Sequence, residues 1–202
     1  MLRRQFFTGL LMTLVMTALV GFVYPLAVTG ISQLTMSKRA NGSLVTANGK
    51  IVGSSLIGQS FADRNGHALR RYFQPRPSAA GPDGYDAMSS GGSNLGPSNP
   101  TLLASVAKRA AEYRAFNGLA RDTKVPVDAV TASASGLDPQ ISVANARLQV
   151  ARVARARGLA LATVSAVLVA HTRGRPFGIF GEQTVSVLDL NLALDRLDPK
   201  KR

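Results

Sequence analysis

Residues 5–37, QFFTGLLMTLVMTALVGFVYPLAVTGISQLTMS, run for 33 positions without a charged side chain, with Arg3 and Arg4 before them and Lys38 and Arg39 after. No other stretch restricts the fold so much, because a helix this apolar on every side has to be covered by lipid or by protein. Residues 6–28 alone would make a helix about 34 Å long, enough for a hydrocarbon core of about 30 Å. A cleaved signal peptide would have an apolar core of only about 7–15 residues and a small-x-small cleavage site. The best candidate here, AVT at 27–29, is poor, so a retained anchor is expected over residues 1–37 with its span at about 6–28. Phe6, Leu14, Thr17, Gly21 and Tyr24 are its expected membrane residues. Tyr24 and Pro25 suit an interface and a loosened helix near the far end. The basic pairs tie in number, but Arg3 and Arg4 lie hard against the apolar run and Lys38 and Arg39 about ten residues beyond Val28. That asymmetry favours a single-pass protein of the inner membrane, N-terminus cytoplasmic, with residues 38–202 as a soluble extracytoplasmic domain.

Composition narrows the remaining choices. The formal net charge of +13 raises nucleic acid or an anionic bilayer surface as partners. The aromatic-plus-basic patterns of RNA-binding modules are missing, as are zinc-finger, homeodomain and basic-zipper patterns, so no nucleic-acid partner is expected. The absence of cysteine excludes disulfides, thiolate catalysis and Cys-based zinc sites.

Beyond the anchor the chain reads as α+β: one mixed domain with a long Gly/Pro/Ser-rich loop and no internal repeat. Asn48-Gly49 lies between short apolar runs and predicts a type I′ hairpin over 44–57. Residues 71–100 show no helical periodicity, and a loop that long in a compact domain is disordered, functional or held by a partner. Its aromatic residues argue against disorder. Ser98 or Asn99 would cap a helix beginning at Pro100 and stopped by Gly118, with Leu102, Leu103, Val106, Ala110 and Tyr113 as its apolar stripe. VPVDAVTAS is expected as a short strand with Pro126 at its edge, and ASGLDPQIS as a turn. Ser142 would cap a second helix ending near Arg157, with Gly158 as stop. Residues 159–172 would form a third, core helix, too short to be another span. A strand is expected from about Thr184, turning helical near Leu192.

Serine-glycine loops that open onto helices can cradle phosphate, so residues 89–100, SSGGSNLGPSNP, need scrutiny. A Walker A loop requires G-x-x-x-x-G-K-S/T, and no lysine occurs here before Lys108. Ser90, Gly91, Gly92 and Ser93 remain nucleotide-contact candidates only if the domain is cytoplasmic. Otherwise the stretch caps a helix and presents a surface. His171 reads as a helix C-terminal cap and His67 as part of a solvated turn. No nucleophile elbow, S-x-x-K or H-E-x-x-H pattern occurs, Glu112 and Glu182 stand alone, and the aspartates form no ligand cluster, so no catalytic or metal residue is assigned.

Five segments in order carry a specific resemblance: YFQPRPSA, SSGGSNLGPSNP, VPVDAVTASASGLDPQIS, QVARVARARG and VLDLNLALD, behind a single anchor. Together the chain resembles the C subunit (KdpC) family of Kdp-type potassium-transporting ATPases of bacteria, over nearly its whole length. Departures from the family pattern are Gln140, Val143, the SASG tetrapeptide and Asp189, which would interrupt an apolar strand. The resemblance implies a non-catalytic subunit of a high-affinity potassium pump, partnered by a channel-like potassium-binding subunit, a P-type ATPase subunit and the lipid bilayer. It implies a role in assembly and as a catalytic chaperone that raises the ATPase subunit's nucleotide affinity. No cofactor of its own is implied, and ATP only as shared with that subunit. Phe73, Pro75, Arg76, Asn94, Ser133, Gly136 and Asp138 are the expected partner contacts. Thr13, Thr17, Ala18 and Gly21 would form the anchor's packing face. The alternative is an anchored extracytoplasmic enzyme or binding module for an anionic envelope polymer.

Overall fold

A computed structural model of the chain describes residues 1–197; the last five residues of the expected 38–202 domain lie outside the described residues. Two units separate at Leu44/Val45. The first is helical: α1 (Leu2–Ala18), a π-helical turn (Leu19–Val23) and α2 (Tyr24–Ala40). The π turn sits where the sequence demands it. Pro25 has no N–H to donate, and its ring would crowd the carbonyl four residues back. Widening the preceding turn lets the Tyr24 N–H reach the Leu19 carbonyl instead. Residues 2–40 form the one helix, among the described residues, long and apolar enough to cross a bilayer.

At that boundary comes the hairpin of β1 (Leu44–Ala47) and β2 (Lys50–Ser54). Asn48 (φ 51°) and Gly49 (φ 74°) both take the left-handed backbone that the type I′ turn requires. Helix α3 (Pro100–Asn117) starts where expected: the Asn99 side chain accepts the Thr101 N–H at 2.9 Å, and Gly118 closes the end at φ 69°. Its stripe is weaker than expected, because Leu103 faces solvent.

The core lies among α4 (Val143–Arg157), α5 (Leu161–Ala170), α6 (Val187–Leu197) and a three-stranded antiparallel sheet. In that sheet β5 (Thr184–Ser186) is flanked by β3 (Gln140–Ser142) and β4 (Thr172–Arg173). Ile141 pairs with Val185 and Thr172 with Val185 across the two ladders. Ala146, Val150, Val153 and Ala154 of α4 meet Val164 and Leu168 of α5 and Leu190 and Leu194 of α6. Each side chain of Val or Leu size removed from water there contributes about 1.5–3 kcal/mol.

Three expectations are corrected. VPVDAVTAS is not a strand: Val127–Ala129 is a 3₁₀ turn, because Pro126 offers no ladder donor and Asp128 turns inward. Its carboxylate accepts the Ser142 N–H (2.8 Å), the Ser142 hydroxyl (2.9 Å) and the Asn145 amide (3.0 Å). It thereby braces the residue that caps α4, whose Oγ accepts the Asn145 N–H at 3.1 Å. The C-terminal helix begins at Val187 rather than near Leu192, so Asp189 lies in a first helical turn, where a negative charge is favoured, and interrupts no strand. The third helix is shorter than expected and buries only one side; Leu161 and Val169 are exposed, and Thr172 already belongs to β4. His171 does cap that helix, with Nδ1 2.9 Å from the Val167 carbonyl.

Candidate functional site

Residues 70–76, RRYFQPR, leave a turn at 70–72 and pass against the core at Phe73 without belonging to any strand. Side chains supply the hydrogen bonds that a sheet neighbour would otherwise make. Gln149 of α4 accepts the Gln74 N–H (2.7 Å) and donates to the Gln74 carbonyl (3.0 Å). Asn191 of α6 does the same for Phe73, at 2.8 and 2.9 Å. Arg152 donates to the carbonyls of Arg70 and Tyr72, to Asn117 Oδ1 (2.8 Å) and to Gln149 Oε1 (2.8 Å), and lies 4.5 Å from the Phe116 ring centre. Burial pushes its guanidinium down to about 10, because taking the charge out of water disfavours the protonated form. Arg157 donates to the Arg71 carbonyl (2.6 Å) and pairs with Asp195 (2.9 Å), which also accepts from the Tyr72 hydroxyl. Helix α4 is thus buried on two sides: an apolar stripe faces the core, and Gln149 and Arg152 grip the segment, with Asn145 Oδ1 accepting from Gln149 at 2.9 Å.

The segment delivers Arg76 to a clasp between loops distant in sequence. Arg76 Nη1 lies 3.0 Å from Asp138 Oδ2, and its other nitrogens reach the carbonyls of Thr131 (3.4 Å) and Ala132 (3.3 Å). Ser135 Oγ donates to Asp138 Oδ1 at 3.2 Å. The Ser78 hydroxyl donates to the Gly136 carbonyl (2.7 Å), and the Tyr85 hydroxyl to the Arg76 carbonyl (2.5 Å). Burial raises the Tyr85 phenol well above its ordinary value, so it stays a donor. The serine-glycine loop closes the same clasp. The Gly91 N–H (2.9 Å) and the Ser90 hydroxyl (3.0 Å) both donate to the Ser135 carbonyl. A Cβ on Gly92 would lie 3.1 Å from the Ala134 carbonyl, and one on Gly136 (φ 69°) 2.7 Å from the Gly91 carbonyl. These glycines let two backbones touch.

Of the residues expected from sequence, the structure brings together Arg76, Ser90, Gly91, Gly92, Ser133, Gly136 and Asp138, while Pro75 precedes Arg76 in the chain and makes none of the clasp bonds. Ser133 Oγ accepts the Gly136 N–H at 3.0 Å. Ser93 and Asn94 lie outside the clasp bonds and face solvent, Asn94 with φ 53°. Phe73 is a correction: it is wholly buried in the core, so its ring offers no surface to another chain. In the anchor, Phe6, Leu14 and Tyr24 are exposed along the helix, and Thr17 and Gly21 line a shallow groove with Met12, Thr13, Met16 and Val20. His67 lies on an exposed turn shaped by Asp63, whose carboxylate accepts the N–H groups of Asn65 and His67. Those two bonds and the nearby imidazole hold the Asp63 carboxyl below its ordinary range. Among the described residues, no group of three or more His, Cys, Asp and Glu could hold a metal ion.

Beside the clasp lies a cleft of about 590 Å³. Arg76, Asp128 and Asp138 line one side, and Arg173, Glu182 and Thr184 the other. Sequence reading missed both this cleft and the buried polar stripe of α4. In QVARVARARG the signal was present: Gln149 and Arg152 recur at the three-residue spacing of one helix face, beside the stripe of Val150 and Val153.

The structure therefore defines a class: a protein with an apolar helix fit to cross a bilayer, the one such helix among the described residues, and an α+β domain whose surface loops are locked by internal polar contacts. Comparison makes it specific. The family model described as K+-transporting ATPase, c chain, matches residues 6–196, and the chain belongs to this KdpC family. It is 54% identical over 196 residues to the potassium-transporting ATPase KdpC subunit of Mycobacterium tuberculosis, covering 97% of this chain and 100% of that one. It is 53% identical over 198 residues to the subunit of the same name from Kineococcus radiotolerans (98% and 96% covered). With that of Gemmatimonas aurantiaca it shares 51% over 189 residues (94% and 91%).

Proposed function

We propose that this chain is the accessory, non-catalytic subunit of a bacterial ATP-driven potassium uptake pump. It is held in the inner membrane by residues 2–40, with its N-terminus cytoplasmic and its α+β domain outside. There the clasp docks on the channel-like subunit, stabilises the assembly and covers the outer entrance. The anchor groove at Thr13, Thr17 and Gly21 packs against partner helices, where small and hydroxylated residues let backbones approach. Nucleotide affinity of the P-type ATPase subunit rises through allosteric coupling and not by direct contact, since ATP lies across the membrane.

The observation that carries this reading is the 3.0 Å Arg76–Asp138 pair, which ties two loops 62 residues apart into one preformed surface. A surface already ordered loses little further entropy on docking. The engagement of Ser90 and Gly91 with the Ser135 carbonyl supports a scaffolding role for the serine-glycine loop in preference to a phosphate cradle.

Two measurements on the whole pump test it. Asp138→Ala should reduce co-purification with the channel-like subunit and raise the KM for ATP severalfold; unchanged values for both would overturn the docking role. A Ser89→Cys variant, in a chain with no other cysteine, should react with a membrane-impermeant thiol reagent on intact cells. Reaction with a permeant reagent alone would place the domain in the cytoplasm and return Ser90, Gly91, Gly92 and Ser93 to consideration as an ATP contact.

A further inference from the structure

Between β4 and β5 the chain makes a loop, GRPFGIFGEQ (174–183), whose middle is apolar and exposed. Phe177 is 92% exposed, Ile179 71% and Phe180 62%. The two rings meet edge to face with centroids 6.3 Å apart. Phe177 holds its backbone at φ 53°, a conformation a bulky side chain adopts only at a cost. The flanking charges are neutralised within the chain: Arg175 pairs with Glu182 at 2.7 Å and Arg173 with Asp189 at 2.9 Å. Three large apolar side chains clustered in water on a strained turn mark an interaction site.

We infer that Phe177, Ile179 and Phe180 form an apolar plug that inserts into a hydrophobic pocket on the outer face of the channel-like subunit. This rests on the docking role proposed above and adds a second contact to it. Two observations select a protein pocket as the occupant. The arginines beside this apolar stretch are already paired with carboxylates, so it lacks the unpaired positive charge that anionic headgroups attract. The base of the loop, through Arg173 and Glu182, also lines the cleft whose other wall is Arg76 and Asp138, so plug and clasp share one continuous surface. Aromatic side chains buried at the centre of an interface carry a large share of its affinity, with polar contacts around them excluding water.

The test uses the full-length chain co-expressed with the other pump subunits. Phe177→Ser with Phe180→Ser should lower recovery of the complex in detergent at least tenfold, while the thermal midpoint of the variant chain purified alone stays that of the parent. Phe177→Gly, which suits the positive φ, should leave the isolated chain at least as stable and still weaken the complex. An environment-sensitive fluorophore on Ile179→Cys should shift to the blue when the channel-like subunit is present. A blue shift of the lone chain in phosphatidylglycerol-containing vesicles, with none added by the subunit, would overturn the inference in favour of the bilayer. Full recovery of the complex by the Phe variants would also overturn it. If Asp138→Ala nonetheless disrupts the complex, the docking role stands and only the plug falls; if neither variant has an effect, both fall.

Discussion

Gln149 and Asn191 each satisfy both backbone groups of a residue far away in sequence, Gln74 at a separation of 75 and Phe73 at 118. A side-chain amide can do this because its N–H₂ and C=O have the spacing and polarity of a peptide. The substitution Gln149→Leu keeps the size and removes both partners. It leaves the Gln74 N–H and carbonyl without this partner, and strips Arg152 of one of its acceptors. The expected loss is about 2–4 kcal/mol, read from chemical denaturation of the full chain in detergent. Gln149→Glu, which preserves an acceptor, should restore the Gln74 N–H and Arg152 contacts and recover part of that loss. The spacing of Gln149 and Arg152 marks one face of α4, but it does not say which distant backbone that face binds, since the pairing with Gln74 forms only in the folded domain. Phe73 shows the reverse error: the family resemblance made it a partner contact, and the fold buries it completely.

At the scale of elements, what the sequence foretold was what local chemistry fixes. Asn48-Gly49, Asn99-Pro100, Gly118, Ser142 and Gly158 each take the turn or cap that their residue type favours. The failures fell where a tertiary partner overrides local preference. Val125, Val127, Val130 and Thr131 give this stretch the β-branched character of a strand, yet Asp128 draws Val127–Ala129 into a turn by bonding to Ser142. Asp128→Ala should therefore destabilise α4 although it lies outside that helix, by about 1–3 kcal/mol through the lost brace on the cap. Amide hydrogen exchange in the first turn of α4, near Asn145, should quicken in this variant ahead of exchange in α5. Equal acceleration throughout the domain would show that Asp128 braces the fold as a whole. Several clasp residues lie in three of the five motifs, YFQPRPSA, SSGGSNLGPSNP and VPVDAVTASASGLDPQIS, whereas Tyr85 and the cleft beside the clasp were not legible, because they depend on loops that meet only in the fold.

For the whole domain, the early segment and the last helix depend on one another. Phe73 is held by Asn191, and the Arg157–Asp195 pair closes the same region from α6. Removing α6 by a stop codon after Ser186, which leaves β5 in place, should thus abolish cooperative unfolding and near-ultraviolet circular dichroism of the domain, not merely trim one helix. Retention of a sharp transition would show that the remaining elements fold without it. The membrane unit carries a separate consequence, one of phase. Helices advance about 100° per residue, and the π turn at Leu19–Val23 introduces one residue more than that rhythm allows. Positions continuing the face of Thr13 and Thr17 beyond Val23 consequently fall one place later than a uniform helical wheel would put them. A scan of this span plotted on such a wheel would show two sensitive stripes where the molecule has one, the second displaced by the π turn.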